Sequence, residues 1–193
     1  MSSSAAQPGV VSPPPIGEAL SVAWTTYQAN MAPIAIAFAC AILPGLIPIV
    51  GGGIAFAGMM NVGRKALRGQ ATQPADGFIG LTENTIDHVV MGLLQISGFL
   101  ACCIGVYVSQ AVFYPGTALI LERGMTWQQA KDACVARVWP NALQWTLFLL
   151  AVSLVGASGA LLCVVGVFFT GPIAMIAFAY AFEQAFGAAA ATA

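Results

Sequence analysis

His88 is the single histidine of the chain and stands beside Asp87, which makes this pair the first place to look for acid/base work near neutral pH. Such work needs partners within hydrogen-bond reach. A solitary histidine at the start of an apolar segment reads more simply as a solvated side chain. Gly156-Ala157-Ser158-Gly159 offers a serine on a small-residue turn, but a serine becomes nucleophilic only beside a general base. The apolar stretch that follows, Ala160 to Phe182, contains none. Five cysteines (Cys40, Cys102, Cys103, Cys134 and Cys163) form no C-x-x-C pair and have no histidine at metal-ligand spacing. They are expected to pack helices, with no metal and no cofactor; the one disulfide geometry to check sets Cys102-Cys103 against Cys163. No catalytic residue is assigned, and the chain is not expected to be an enzyme.

Transport chemistry leaves its own trace, in ionisable groups within the membrane. None falls in the middle of an apolar segment here; the polar residues there are Gln95, Gln110, Ser97, Ser109, Thr146, Thr170 and Tyr180. Gln95 and Gln110 are expected to bond to each other as helix glue, with a pathway lining as the other reading. Gly171-Pro172 is expected to kink the last apolar segment, since proline removes a donor and crowds the preceding turn.

These residues sit in a chain of 193 residues with 59% apolar and 7% charged side chains and a mean hydropathy of +0.87. Soluble domains carry roughly 25% charge, so a bilayer is required as second solvent. The net charge of −1 leaves no basic surface for nucleic acid. Residues 1–15, with Pro13-Pro14-Pro15, read as a disordered cytoplasmic tail, residues 16–187 as the membrane domain and 188–193 as an Ala-rich tail. No secretory signal precedes them.

Apolar segments run from Met31 to Val50, Gly51 to Leu67, Val89 to Leu121 and Asn141 to Phe182. The last two exceed the ~20 residues of one crossing. They are expected to fold back, near Cys103-Ile104-Gly105 and near Gly156–Gly159, which gives six spans. Basic residues test that count: Arg64, Lys65, Arg68, Arg123, Lys131 and Arg137 then all lie on one side, as the cytoplasmic bias of Lys and Arg requires. Both termini are predicted cytoplasmic, in a bacterial inner membrane. Ile16, Ala19, Leu20, Ala23, Trp24 and Tyr27 predict an amphipathic interfacial helix with Trp24 and Tyr27 in the headgroup zone. A second begins at Thr126 with Gln129 completing a capping box, and Phe78, Leu81 and Ile86 suggest a weaker third. At an offset of 111 Ala19 meets Ala130 and Asn30 meets Asn141; at 115 Val50-Gly51 meets Val165-Gly166. A parallel repeat is expected, pairing the first helix and spans 1 and 2 with the second helix and spans 5 and 6.

The pattern Ala19-x-x-x-Ala23-Trp24-x-x-Tyr27-x-x-Asn30, Pro44-Gly45, Gly63-Arg64-x-x-Leu67-x-Gly69, Ile104-Gly105-x-Tyr107 and Leu119-Ile120-Leu121-Glu122-Arg123-Gly124-Met125-Thr126 resembles a broad group of small bacterial six-helix membrane proteins. It is similar also to the membrane domain attached to some glycerophosphodiester phosphodiesterases. That resemblance covers most of residues 16–187 and implies architecture rather than chemistry, because the soluble phosphodiesterase domain has no counterpart in it. The group often has Pro-Gly where this chain has Ile104-Gly105. Gly-Ala-Ser-Gly resembles the G-x-S-G of rhomboid proteases, but their base, a histidine in the sixth span, has no equivalent here. The expected role is a non-enzymatic scaffold or accessory subunit in the lipid bilayer, associated with other membrane subunits or with itself; the alternative is a small carrier or pore for a neutral or lipid-like solute, using Gln95, Gln110 and the Gly171-Pro172 kink.

Overall fold

The computed structural model describes residues 9–187 other than 48, 49, 102 and 163. Every regular element among them is helical. Helix α1 (Ile16–Ala29) is followed by α2 (Met31–Ile42), which ends in a 3-10 turn over Leu43–Leu46 before α3 (Gly51–Leu67). A 3-10 turn over Pro74–Phe78 and the short α4 (Ile79–Thr82) lead into α5 (Thr85–Ile96), which ends in a 3-10 turn over Ser97–Ala101 before α6 (Cys103–Arg123). Then come α7 (Trp127–Arg137), α8 (Ala142–Ser158), a 3-10 turn over Gly159–Leu162 and α9 (Val164–Phe186). Two stretches, Trp139–Ser158 and Gly166–Phe186, are long and apolar enough to cross a membrane. A third qualifies if Ile16–Ala29 and Met31–Leu46, bent by 106°, count as one.

The packing follows the order of the pieces. The helices pair as α2 with α3, α5 with α6 and α8 with α9, and the second member of each pair also packs on the first member of the next: α3 on α5, α6 on α8 and α9 on α2. The short or transverse helices obey the same rule, with α4 against α3, α7 against α6 and α1 against α9. The first piece thereby lies on the last, and the three pairs close into a ring.

Glycine makes the turns between paired helices possible. A Cβ at Gly51 would overlap the Pro44 carbonyl, one at Gly98 the Gly105 carbonyl and one at Gly159 the Gly166 carbonyl. All three contacts join residues seven apart. The second and third turns also share their hydrogen bonds. Ser109 Oγ donates to the Gln95 carbonyl at 2.6 Å and Thr170 Oγ1 to the Gly156 carbonyl at 2.6 Å; Ser97 Oγ donates to Leu94 O and Ser158 Oγ to Val155 O, both at 2.7 Å. In sequence the two turns read Ser-Gly-x-Leu-x-Cys-x-x-Gly-Val, from Ser97 to Val106 and from Ser158 to Val167.

The fold-backs thus fall at Ser97–Ala101 and Gly159–Leu162, a few residues before and after the positions expected from the residue pattern. The proposed disulfide involves Cys102 and Cys163, which lie outside the described residues, as do residues 1–8 and 188–193. Gly9–Pro15 depart from the expected featureless arm. Val11 N donates to Arg137 O at 3.0 Å, and Trp145 Nε1 donates to Val11 O at 3.0 Å.

Three further expectations bear on α1, α7 and α9. Helix α1 buries Ala19, Ala23 and Tyr27 against α9 and leaves Trp24 exposed, so the aromatic pair divides and only Trp24 remains available to headgroups. The cause is helical phase: Tyr27 follows Ala23 by four residues on the inner stripe, while Trp24 is turned about 100° away. Helix α7 keeps its expected capping box, with Gln129 N donating to Thr126 Oγ1 and Thr126 N to Gln129 Oε1, and buries Ala130 and Cys134. Gly171-Pro172 lies inside a continuous α9, where a Cβ at Gly171 would strike the Phe38 ring at 2.6 Å. A second proline, Pro115, sits inside α6.

Candidate functional site

Charge gathers where α3, α6 and α9 end. Arg64 and Arg68 lie one turn apart on α3 and its C-cap, so both point the same way. They meet Glu122 at the end of α6 and Glu183 near the end of α9. Arg64 places Nη2 2.5 Å from Glu122 and Nε 3.5 Å from Glu183; Arg68 places Nη2 2.6 Å from Glu183 and also pairs with Glu122. The Arg64 side chain is only 6% exposed, and its guanidinium lies 5.4 Å from the Phe182 ring centroid. The hydrogen bond to Glu122, with the charges of both carboxylates, holds Arg68 above the ordinary arginine range.

Beside this quartet Lys65 Nζ donates to both Asp76 oxygens at 2.8 and 2.9 Å, and Asn61 Nδ2 donates to Asp76 O at 3.1 Å. The Asp76 carboxylate also accepts from Gln73 N at 2.7 Å, which fixes the turn ahead of α4. The result is an open polar cleft of about 420 Å³ between the ends of α3 and α6 and the α4 segment, lined by Asn61, Arg64, Lys65, Arg68, Asp76 and Glu83 among others. Its positive and negative side chains are mostly matched against each other, so the cleft ties three helices and α4 together.

A second polar constellation lies where α7 passes into α8. Asn141 Nδ2 donates to Val11 O at 3.2 Å and to Ser12 Oγ at 3.0 Å, and Arg137 Nε donates to Gly9 O at 3.4 Å. The Arg137 guanidinium also stacks 4.7 Å from the Phe186 ring. Trp145, which contributes the third donor, is fully buried.

The residues singled out from sequence do not converge. His88 is fully buried, contrary to the solvated reading, and neither ring nitrogen meets a partner among the described residues. It is buried because His88, Met91 and Gln95 form the inward stripe of α5. Its neighbour Asp87 turns to α7 and accepts from Trp127 N at 2.8 Å. Ser158 is the counterpart of Ser97, each capping its own helix end, with no imidazole involved. Gln95 does not bond Gln110; it donates to Thr117 Oγ1 at 3.1 Å. Ser109 takes the α5-facing position, so adjacent Gln110 is turned about 100° round α6 and lines a surface cleft with Phe99, Val106 and Tyr107. Cys40 and Cys134 are free thiols, and burial pushes the Cys134 pKa up. No group of three His, Cys, Asp or Glu able to hold a metal occurs among the described residues.

No protein-family model, curated protein or solved structure matches the chain.

Proposed function

We propose that the chain is a six-span integral membrane protein of the bacterial inner membrane, non-enzymatic, acting as a scaffold or accessory subunit, with its charged end cytoplasmic. The observation that carries this reading is the division of its surface. Arg64, Arg68, Glu122 and Glu183 meet at one end of α3, α6 and α9, while Leu46 and Phe99, on the opposite turns, are 75% and 73% exposed. Soluble monomers rarely leave such apolar surface in water.

Helix length favours six spans once the 3-10 turns are counted with the helices they end. At ~1.5 Å per α residue and ~2.0 Å per 3-10 residue, α2 with its turn rises about 26 Å, α5 about 28 Å and α8 about 33 Å. Alone, α3 rises about 25 Å, α6 about 31 Å and α9 about 34 Å on the same α-helical rise. All lie near the ~30 Å of hydrocarbon, or within reach of local thinning.

The same reasoning extends the expected repeat from two units to three: α1–α3, α4–α6 and α7–α9. The shared turn geometry, the Ser-Gly-x-Leu-x-Cys-x-x-Gly-Val pair and the ring order support it. Gly69 and Gly124, with φ of +65° and +59°, stop α3 and α6 alike.

A carrier reading loses its pair of glutamines, since Gln95 is engaged with Thr117 and Gln110 faces outward. Cysteines placed singly at Ile47 or Phe99, in a background free of the native five, should react with an impermeant maleimide on intact cells. Those at Gly69, Gly124 or Gly187 should react only after permeabilisation, and labelling of the second set from outside overturns the topology. Recovery of a stoichiometric partner from native membrane discs is the expected result for the accessory role; solute flux by the purified chain alone overturns it.

A further inference from the structure

The segment that leads into each unit lies against the bend of the unit before it. Gly69–Thr72, leading to α4, shares a cleft with Asn30 and Pro33 at the α1–α2 bend. Trp127 N, opening α7, bonds Asp87, three residues past Asn84 at the α4–α5 bend. Gly9–Ser12, leading through Pro13–Pro15 to α1, lie against Arg137, Asn141 and Trp145 at the α7–α8 bend. The first two segments are held at both ends by helices of the ring. The third is joined to the ring through α1, and the residues it bonds lie 126 to 134 positions further along the chain.

We propose that this groove is a recognition site for an extended peptide segment, filled in the structure by the chain's own residues 9–12, and that the partner it fits is an extended Val-Ser-Pro-like segment of another membrane protein. This rests on the accessory-subunit reading and names its docking point. The chemistry of the contacts carries it. Every hydrogen bond from the groove except one engages main-chain atoms of the arm: Gly9 O, Val11 N and Val11 O. The remaining one reaches the Ser12 hydroxyl. Val11 packs against the core while Val10 is 55% exposed, so the groove reads backbone, one apolar side chain and one hydroxyl. Pro13–Pro15 keep the stretch from Ser12 to Pro15 extended at little entropic cost. Nothing in these contacts depends on the arm belonging to the same chain; tethering only raises its local concentration, to the millimolar range for short links.

The test uses a fluorescent peptide of residues 7–15 and the purified protein in lipid discs. A chain lacking residues 1–12 should bind the peptide saturably, and the full chain should bind it at least ~10-fold more weakly because its own arm competes. Asn141→Ala with Trp145→Phe in the shortened chain should cut binding by a further ~10-fold, two donors being lost; Trp139→Phe, which removes no hydrogen bond to the arm, should not. If shortening unfolds the protein, Val11→Pro in the full chain, which removes the donor to Arg137 O, should expose the groove and raise peptide binding. Absence of saturable binding to the folded shortened or Val11→Pro protein overturns the proposal. So does binding that Asn141→Ala with Trp145→Phe leaves unchanged, or a full chain that is a dimer dissociated by the peptide, which would make a second copy the occupant. None of these outcomes depends on recovering a cellular partner, so the accessory-subunit reading stands or falls separately.

Discussion

Arg64 of α3 sets its guanidinium 2.5 Å from the carboxylate of Glu122 on α6, with 6% of its side chain exposed. A buried cation of this kind contributes little net stability while paired, and much is lost when its partners are removed. Glu122→Leu with Glu183→Leu should therefore cost about 3–5 kcal/mol. Glu122→Gln alone should cost less, since Glu183 stays within reach of both arginines. Arg68, 40% exposed, is screened by solvent, and Arg68→Gln should cost under about 1 kcal/mol. Unfolding of the micelle-bound variants by denaturant measures all three; equal losses across them would contradict a buried network centred on Arg64.

Glycine packing gives a prediction with an internal control on one helix. A Cβ at Gly58 would overlap the Gly77 carbonyl, whereas one at Gly52 meets nothing within 4 Å. Gly58→Ala should destabilise by about 1–3 kcal/mol through overpacking, with Gly52→Ala neutral or slightly stabilising because alanine favours helix. Melting temperatures of the pair decide it.

The two glutamines should behave independently. Gln95→Leu breaks the buried bond to Thr117 and should cost about 0.6–2 kcal/mol, while outward Gln110→Leu should be near neutral. In the double variant the effects should add to within about 0.5 kcal/mol. A larger coupling energy in the double-mutant cycle would mean that the side chains do interact.

His88 is buried without a partner for either ring nitrogen among the described residues. Replacing a buried polar group of that kind by an apolar one of similar size relieves about 1–3 kcal/mol of desolvation. His88→Leu should raise the melting temperature, and His88→Asn should not. A fall with Leu would show that the imidazole makes a contact the fold depends on.

Local features were legible where neighbouring residues decide them. The Thr126–Gln129 capping box could be read from spacing, since cap chemistry acts over a few residues. The likeness of the three turns was half visible, in the 115-residue offset that links Gly51 to Gly166. Its middle member was hidden because Ser158-Gly159 invited comparison with a nucleophile turn, although Ser97-Gly98 stands in the same pattern 61 positions earlier. The arm was missed for a different reason. Gly9–Ser12 carry almost no apolar pattern, and what holds them is a set of donors from residues more than 125 positions away.

By itself, then, the amino-acid sequence determined the apolar character and the helices. Only 7% charge over 193 residues fits lipid-like surroundings, as do the two or three helices apolar enough to cross a membrane, and periodicity with caps places the helical segments. Tertiary structure alone decided which polar groups meet: Arg64 with Glu122 and Glu183, Gln95 with Thr117 rather than Gln110, Trp145 and Asn141 with the arm. Spacing along a helix fixes the direction of a side chain, but the partner in that direction depends on which helix packs there. That choice is made by the close glycine contacts and the closure of the ring.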